Sequence, residues 1–225
     1  MGWLKRISRR MFGGNPLHEA AGAGRRSFAW LPSNPGAVAA MTATQTELRT
    51  KSRDLVRRNA WANAALESYV ANAIGTGIKP QSLVTDPTIR ERIQALWRDW
   101  TLDADAAGLT DFYGLQALAC RAMLEGGEAL IRIRYRRKED GLAVALQLQV
   151  LEPEHLPVTL NTTAENGNVI RAGIEFDRLG RRVAYHLYRT HPEDGALAPM
   201  SGNGGMETAL VDASEILHLF RPLRP

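Results

Sequence analysis

The spacing of apolar residues changes once along this chain, near residue 128, from a helical period to a stranded one. From about Glu47, Leu48, Leu55, Val56, Leu66, Tyr69, Val70, Ala73 and Ile74 fall near a 3.6-residue period. This predicts a helix that stops at Gly75 and Gly77. Asp86-Pro87 pairs a capping residue with a proline at the first helical position, so a second helix begins there. Its apolar face is Ile89, Ile93, Leu96, Trp97 and Trp100. A third helix starts at Asp111 and carries Phe112, Leu115, Leu118, Ala119, Ala122 and Met123 to Gly126-Gly127.

Beyond that point the period is two. Ile131, Ile133 and Tyr135 alternate with Arg132, Arg134 and Arg136; after the turn "KEDG", Val144, Leu146, Leu148 and Val150 alternate with Gln147 and Gln149. This is a hairpin with one wet face. "VIRAGIEF", the turn "DRLG" and "RRVAYHLYRT" predict a second hairpin, "PEDGALAPMSGNGGMETA" a flexible loop, and "EILHLF" a last strand. Helices followed by antiparallel strands define an α+β domain over residues 47–225. Residues 1–46, rich in Gly, Pro and Asn, predict an extended arm instead. Phe28 and Trp30 are isolated apolar groups there, which suits packing on a neighbouring chain.

Composition adds little except in its charge. Hydrophobic content of 44% and charged content of 23% suit a globular chain of 225 residues. The single cysteine, Cys120, sits in an apolar helical stretch and reads as a core residue. No run approaches the roughly 20 apolar residues that span a bilayer, so no membrane partner is expected. The net charge of +4 is unevenly placed. Residues 1–60 hold eleven Lys/Arg against three Asp/Glu, while the remainder is mildly acidic. A basic leading segment suggests contact with phosphate or an acidic partner.

Catalytic chemistry finds no support in the motifs. His186 and His191 are five apart at a strand end and face opposite sides; neither a metal site nor a nucleophile motif surrounds them or Cys120. The glycine pairs in "GAG", "GTG" and "EGGE" lack the Lys of a phosphate loop. Glu128 opens one strand while Glu152 and Glu154 follow the next, so two strand ends can gather acids as Mg²⁺-dependent nucleases do. Gln147 and Gln149 stand where such enzymes place a Lys or another acid, and the alternative is loop carboxylates beside Arg132 and Arg134. Arg132, Arg134 and Arg136 can follow a phosphate backbone or meet a neighbouring subunit, without the interleaved aromatics of a stacking platform. The helix "LRTKSRDLVRRNAW", with Arg49, Arg53, Arg57 and Asp54, carries the same two readings. These residues alone describe a non-enzymatic domain with basic assembly surfaces and no cofactor or metal.

The ordered series of motifs resembles the N-terminal region of lambda-family portal proteins of tailed bacteriophages. The resemblance runs through Arg25, Arg26 and Trp30 in the arm, then Arg49, Arg53, Asp54, Arg57 or Arg58 and Asn59 in a helix. It continues through the Gly75-x-Gly77-Ile78 turn, Trp97, Trp100, Gly108, Phe112, Gly127 and Glu128 to the terminal "HLFRPLRP". One departure is "DADAAG", longer than the family's Asp-x-x-Gly turn. The resemblance implies a wing-like domain, with the family's stem, clip and crown regions following residue 225, so the chain reads as an N-terminal fragment. It also implies a cyclic homo-oligomer at a capsid vertex that double-stranded DNA crosses without sequence-specific contact. The implied partners are the terminase large subunit, which supplies ATP hydrolysis, the major capsid and scaffold proteins, and head-completion proteins. The implied location is the virion, with the host cytoplasm during assembly. Arg25, Arg26, Trp30, Arg49, Arg53, Arg57, Arg58, Arg132, Arg134 and Arg136 are the subunit-interface or DNA-facing candidates. A Mg²⁺-dependent DNA-processing enzyme and a stand-alone DNA-binding module are the alternatives.

Overall fold

The structure, a computed structural model, describes residues 37–194 and 206–222, with side chains from residue 44 onward. Arg25, Arg26 and Trp30 lie outside the described residues. Among the described residues four α-helices come first: α1 (Ala37–Arg58), α2 (Ala60–Ala73), α3 (Pro87–Asp103) and α4 (Phe112–Gly126). Eight strands follow in two antiparallel sheets. They are β1 (Glu128–Tyr135), β2 (Leu146–Leu151), β3 (Thr162–Thr163), β4 (Val169–Arg171), β5 (Ile174–Phe176), β6 (Arg182–Tyr188), β7 (Thr208–Asp212) and β8 (Ile216–Phe220). The fold is α+β.

Three of the helix ends follow from local chemistry. Asp86 accepts from the amides of Thr88 and Ile89 ahead of Pro87, and Asp111 accepts from Gly114. Gly127 closes α4 at φ +86°, a left-handed conformation that favours glycine. The Gly-x-Gly-Ile turn is equally specific. Gly77 sits at φ +95° with its missing Cβ filled by the ring of Tyr113, and Gln116 bonds both the N–H and the C=O of Ile78.

The first helical run departs from its periodicity in two ways. α1 starts at Ala37, ahead of the Glu47 onset, because an Ala- and Met-containing stretch forms helix without an apolar stripe to announce it. It also breaks at Asn59, whose side chain accepts from the amides of Trp61 and Ala62 and so starts α2 afresh.

The order β2-β1-β8 makes one sheet and β3-β4-β5-β6-β7 the other. The last strand therefore returns to pair with the first, Glu128 opposite Phe220. "VIRAGIEF" is not one strand: it folds on itself at Ala172 (φ +48°) and Gly173 (φ +77°). A tight hairpin turn needs two such residues, and alanine there costs about 1–2 kcal/mol. The Ala172 amide donates to Asn161 Oδ1 at 3.0 Å, which ties the turn down. β7 lies partly inside the stretch expected to be loop. The longer "DADAAG" segment contains the Asp-x-x-Gly turn at Asp105–Gly108, with Asp105 accepting from Ala107, Leu109 and Thr110.

Two apolar clusters cover both faces of the smaller sheet. On one face Trp97, Trp100, Phe112 and Leu115 pack against Leu146, Leu148 and Val150, and Trp100 Nε1 donates to the Leu146 carbonyl at 2.7 Å. On the other, Leu130, Leu151 and Ile216 meet Ile174, Tyr185, Leu187 and Val211 of the larger sheet. The first hairpin therefore has no fully wet face: Arg132 and Arg134 are partly buried at the side that carries Leu130. Ile89, Ile93 and Leu96 of α3 remain exposed, so only the tryptophan end of that apolar face enters the core.

Candidate functional site: an ionic socket for the first helix

Gln45, Arg49 and Arg53 are spaced four apart, which lines them up on one face of α1. That face meets carboxylates from the strand domain. Arg49, 4% exposed, donates through Nη2 to Glu128 Oε1 at 2.7 Å and through Nε to the Gly126 carbonyl at 3.1 Å. Its other terminal nitrogen lies 3.6 Å from Glu154. Arg53 grips Glu154 with both ends of its fork, at 2.7 and 3.0 Å, and lies 3.5 Å from Glu152. Gln45 donates to Glu128. The second oxygen of Glu128 is 2.7 Å from Nε2 of His218 on β8, and His191 Nε2 is 3.0 Å from Glu152.

The positions of these acids follow from the topology. Glu128 is the first residue of β1, directly after the glycine that ends α4. Glu152 and Glu154 flank Pro153 in a short 3-10 turn after β2. Because β1 and β2 are antiparallel, with Leu130 opposite Leu151, the start of one strand adjoins the end of the other. Burial alone would raise the pKa of Glu128, but the hydrogen bond and charge of His218, with those of Arg49, hold it below its ordinary value. Removing either partner of such a buried pair leaves an uncompensated charge, which typically costs about 3–5 kcal/mol.

Glu152, Glu154 and His191 bring three potential metal ligands within 4.8 Å of one another. The guanidinium of Arg53 already spans both oxygens of Glu154, so the protein supplies the cation itself. A divalent ion needs those oxygens for coordination. The cluster is built to hold a helix.

The remaining sequence candidates are dispersed. Arg57 is exposed, and Arg58 pairs along α1 with Asp54 at 2.8 Å. Arg136 donates to Gln147 Oε1 at 2.7 Å. Burial, then the nearby positive charge of Arg134 and more weakly Arg189, pull the Arg132 pKa down, with Glu215 opposing. The carboxylates at the strand ends are thus partnered by Arg49 and Arg53, not by Arg132 and Arg134 as the alternative reading of those acids expected. His186 lies apart from His191, 3.5 Å from the buried Glu175. Cys120 is partly buried, and burial raises its thiol pKa. Among the described residues no helix is long and apolar enough to cross a membrane.

Sequence reasoning singled out both halves of the socket without joining them. The four-residue spacing of Gln45, Arg49 and Arg53 puts them on one helix face but does not point to the acids, and His218 carried no signal of its own. Trp61, 87% exposed at the start of α2, was also not singled out.

The described residues thus form an α+β domain whose first helix is held by a network of ion pairs. The family described as "Phage portal protein, lambda family" matches residues 23–225, and the chain belongs to that family, whose role in the phage is structural. It is also similar to the "Probable portal protein" of Halomonas phage phiHAP-1, 29% identical over 188 residues. That alignment covers 79% of this chain and 35% of the relative, so the chain spans about a third of the relative's length.

Proposed function

We propose that this chain serves as a subunit of the phage portal ring, the head-tail connector at one capsid vertex. Double-stranded DNA passes through the ring without sequence-specific contact as it is packaged and again as it is ejected. The terminase large subunit docks on the ring and supplies ATP hydrolysis; the major capsid and scaffold proteins and the head-completion proteins are its other partners. The subunit works at the virion's portal vertex, after assembly in the host bacterial cytoplasm. The observation that carries this reading is the family match over residues 23–225.

A ring requires head-to-tail contacts that close on themselves. The described surface offers material for them: Trp61 at 87% exposure, Leu48 and Leu55 on α1, and Ile89, Ile93 and Leu96 on α3. Arg57, Arg58, Arg132 and Arg134, with Arg25, Arg26 and Trp30 of the arm, are the charged and aromatic contacts we assign to neighbouring subunits or passing DNA. Antibodies against residues 47–190 should decorate a single vertex of phage particles under the electron microscope. Labelling of every vertex, or of none in particles opened to admit antibody, would remove the portal assignment.

A further inference from the structure

Resting on the assembly reading, we propose that α1 is an exchangeable element. Arg49 and Arg53 of one copy seat in the Glu128–Glu154–Glu152 socket of a second copy of this chain, in the same geometry as in their own.

The socket is made without any contribution from α1. Its carboxylates come from the start of β1 and the turn after β2, its carbonyl from Gly126, and its imidazole from β8. A second copy's α1 presents the same Gln, Arg and Arg at the same four-residue intervals.

The connection is suited to pivoting. A single residue, Asn59, separates α1 from α2 and is extended at φ −114°, ψ 108°. Its side chain caps α2 through Trp61 and Ala62, so α2 keeps its first turn whichever way α1 points. A change in the dihedral angles at one such position redirects the whole preceding element.

The apolar residues of α1 point to the same conclusion. Leu48 and Leu55 are 62% and 55% exposed beside the docked arginine face, and Trp61 is 87% exposed next to the pivot. An exchange between copies would bring these residues to a second chain. The ionic hold itself decides which partner fits. Arg49 and Glu128 are both nearly out of water, and parting them without replacement strips Glu128 of its arginine and leaves it with His218. α1 therefore leaves its socket only for another with the same acids at the same spacing, and a second copy provides it. Nucleic acid does not, because the socket is acidic and repels phosphate. Exchange of an identical element between protomers is a low-cost route to association, and run head to tail it closes a ring.

Isotopic mixing tests this on the whole chain. Arg49→Lys retains the charge and places an amine against Glu128 and Glu154. Unlabelled and ¹⁵N-labelled chains of this variant are refolded together from urea, and a carbodiimide then couples amine to carboxylate at zero length. Mass spectrometry of the oligomer fraction should find the residue-49 peptide joined to Glu128 or Glu154 in mixed-isotope pairs, approaching about half of such links if every α1 is exchanged at random. The Lys51–Glu47 pair within α1, 2.6 Å apart, is the internal standard and must remain same-isotope. Same-isotope links alone in an oligomer overturn the exchange and leave the assembly reading standing. A chain that sediments as a monomer at every concentration overturns the exchange, while vertex labelling of particles decides the portal reading separately. Arg53→Lys, read at Glu154, replaces the first variant if that one fails to fold.

Discussion

α1 and the α3–α4 pair attach to the same sheet domain by opposite means. α3 and α4 bury Trp97, Trp100, Phe112 and Leu115 against the strands, whereas α1 is tied on by Arg49 and Arg53 and leaves Leu48 and Leu55 in water. Apolar burial is non-directional and grows with the area removed from water. It holds α3 and α4 over a range of small adjustments. Ion pairs buried beside Gly126 are satisfied at one register only, and the penalty for missing it is steep. One junction tolerates adjustment; the other fixes a register.

That contrast can be broken from either side. The largest effect belongs to the apolar core: Leu130, fully buried between the two sheets, should lose about 3–5 kcal/mol of stability as Leu130→Ala. Denaturant titration followed by circular dichroism would measure it, and a loss below about 1 kcal/mol would mean that the two sheets do not share a core. Arg49→Leu should cost about 3 kcal/mol by leaving the buried Glu128 without its arginine, with only His218 and Gln45 as partners. Its signature is local, with amide exchange rising along α1 while the tryptophan cluster stays protected. Uniform loss of protection would show that α1 is integral to the core.

Asn59→Ala should destabilise by about 1 kcal/mol through the lost cap of α2, visible as a shift in denaturant midpoint. Arg58→Ala, which removes only the exposed pair with Asp54, should change stability by less than about 0.5 kcal/mol. Acid sharpens the comparison further. The pKa of Glu128 is lowered in the folded state, so its contribution is complete above the ordinary carboxylate value of 4.5. It is lost as pH falls through the lowered value. Protection of α1 should therefore decline in acid in the wild type, and Glu128→Gln should begin weaker and decline less.

The local features were legible because each is written within a few residues. Asp86-Pro87, Asp111 and Gly127 set helix ends by hydrogen bonds and dihedral preferences that act at a distance of one turn. The first hairpin was visible because its period of two runs unbroken on both sides of "KEDG". Where a single residue overrides a pattern, the pattern misleads. Asn59 splits one apparent helix into two, and Ala172, in a conformation alanine rarely adopts, folds one apparent strand into two.

By itself, then, the sequence determined the α+β order of elements, the caps at Asp86, Asp111 and Gly127, and the ordered motifs that place the chain in the portal family. Tertiary structure alone decided which charges meet. Arg49 lies 79 residues from Glu128, and Glu128 lies 90 from His218; nothing in the local spacing of charges links them. β8 returns to pair with β1, β1 lies antiparallel to β2, and these pairings carry three carboxylates to one corner. The basic face of α1, open to several partners when read along the chain, is neutralised there, because a buried carboxylate requires a cation and α1 is the element in reach.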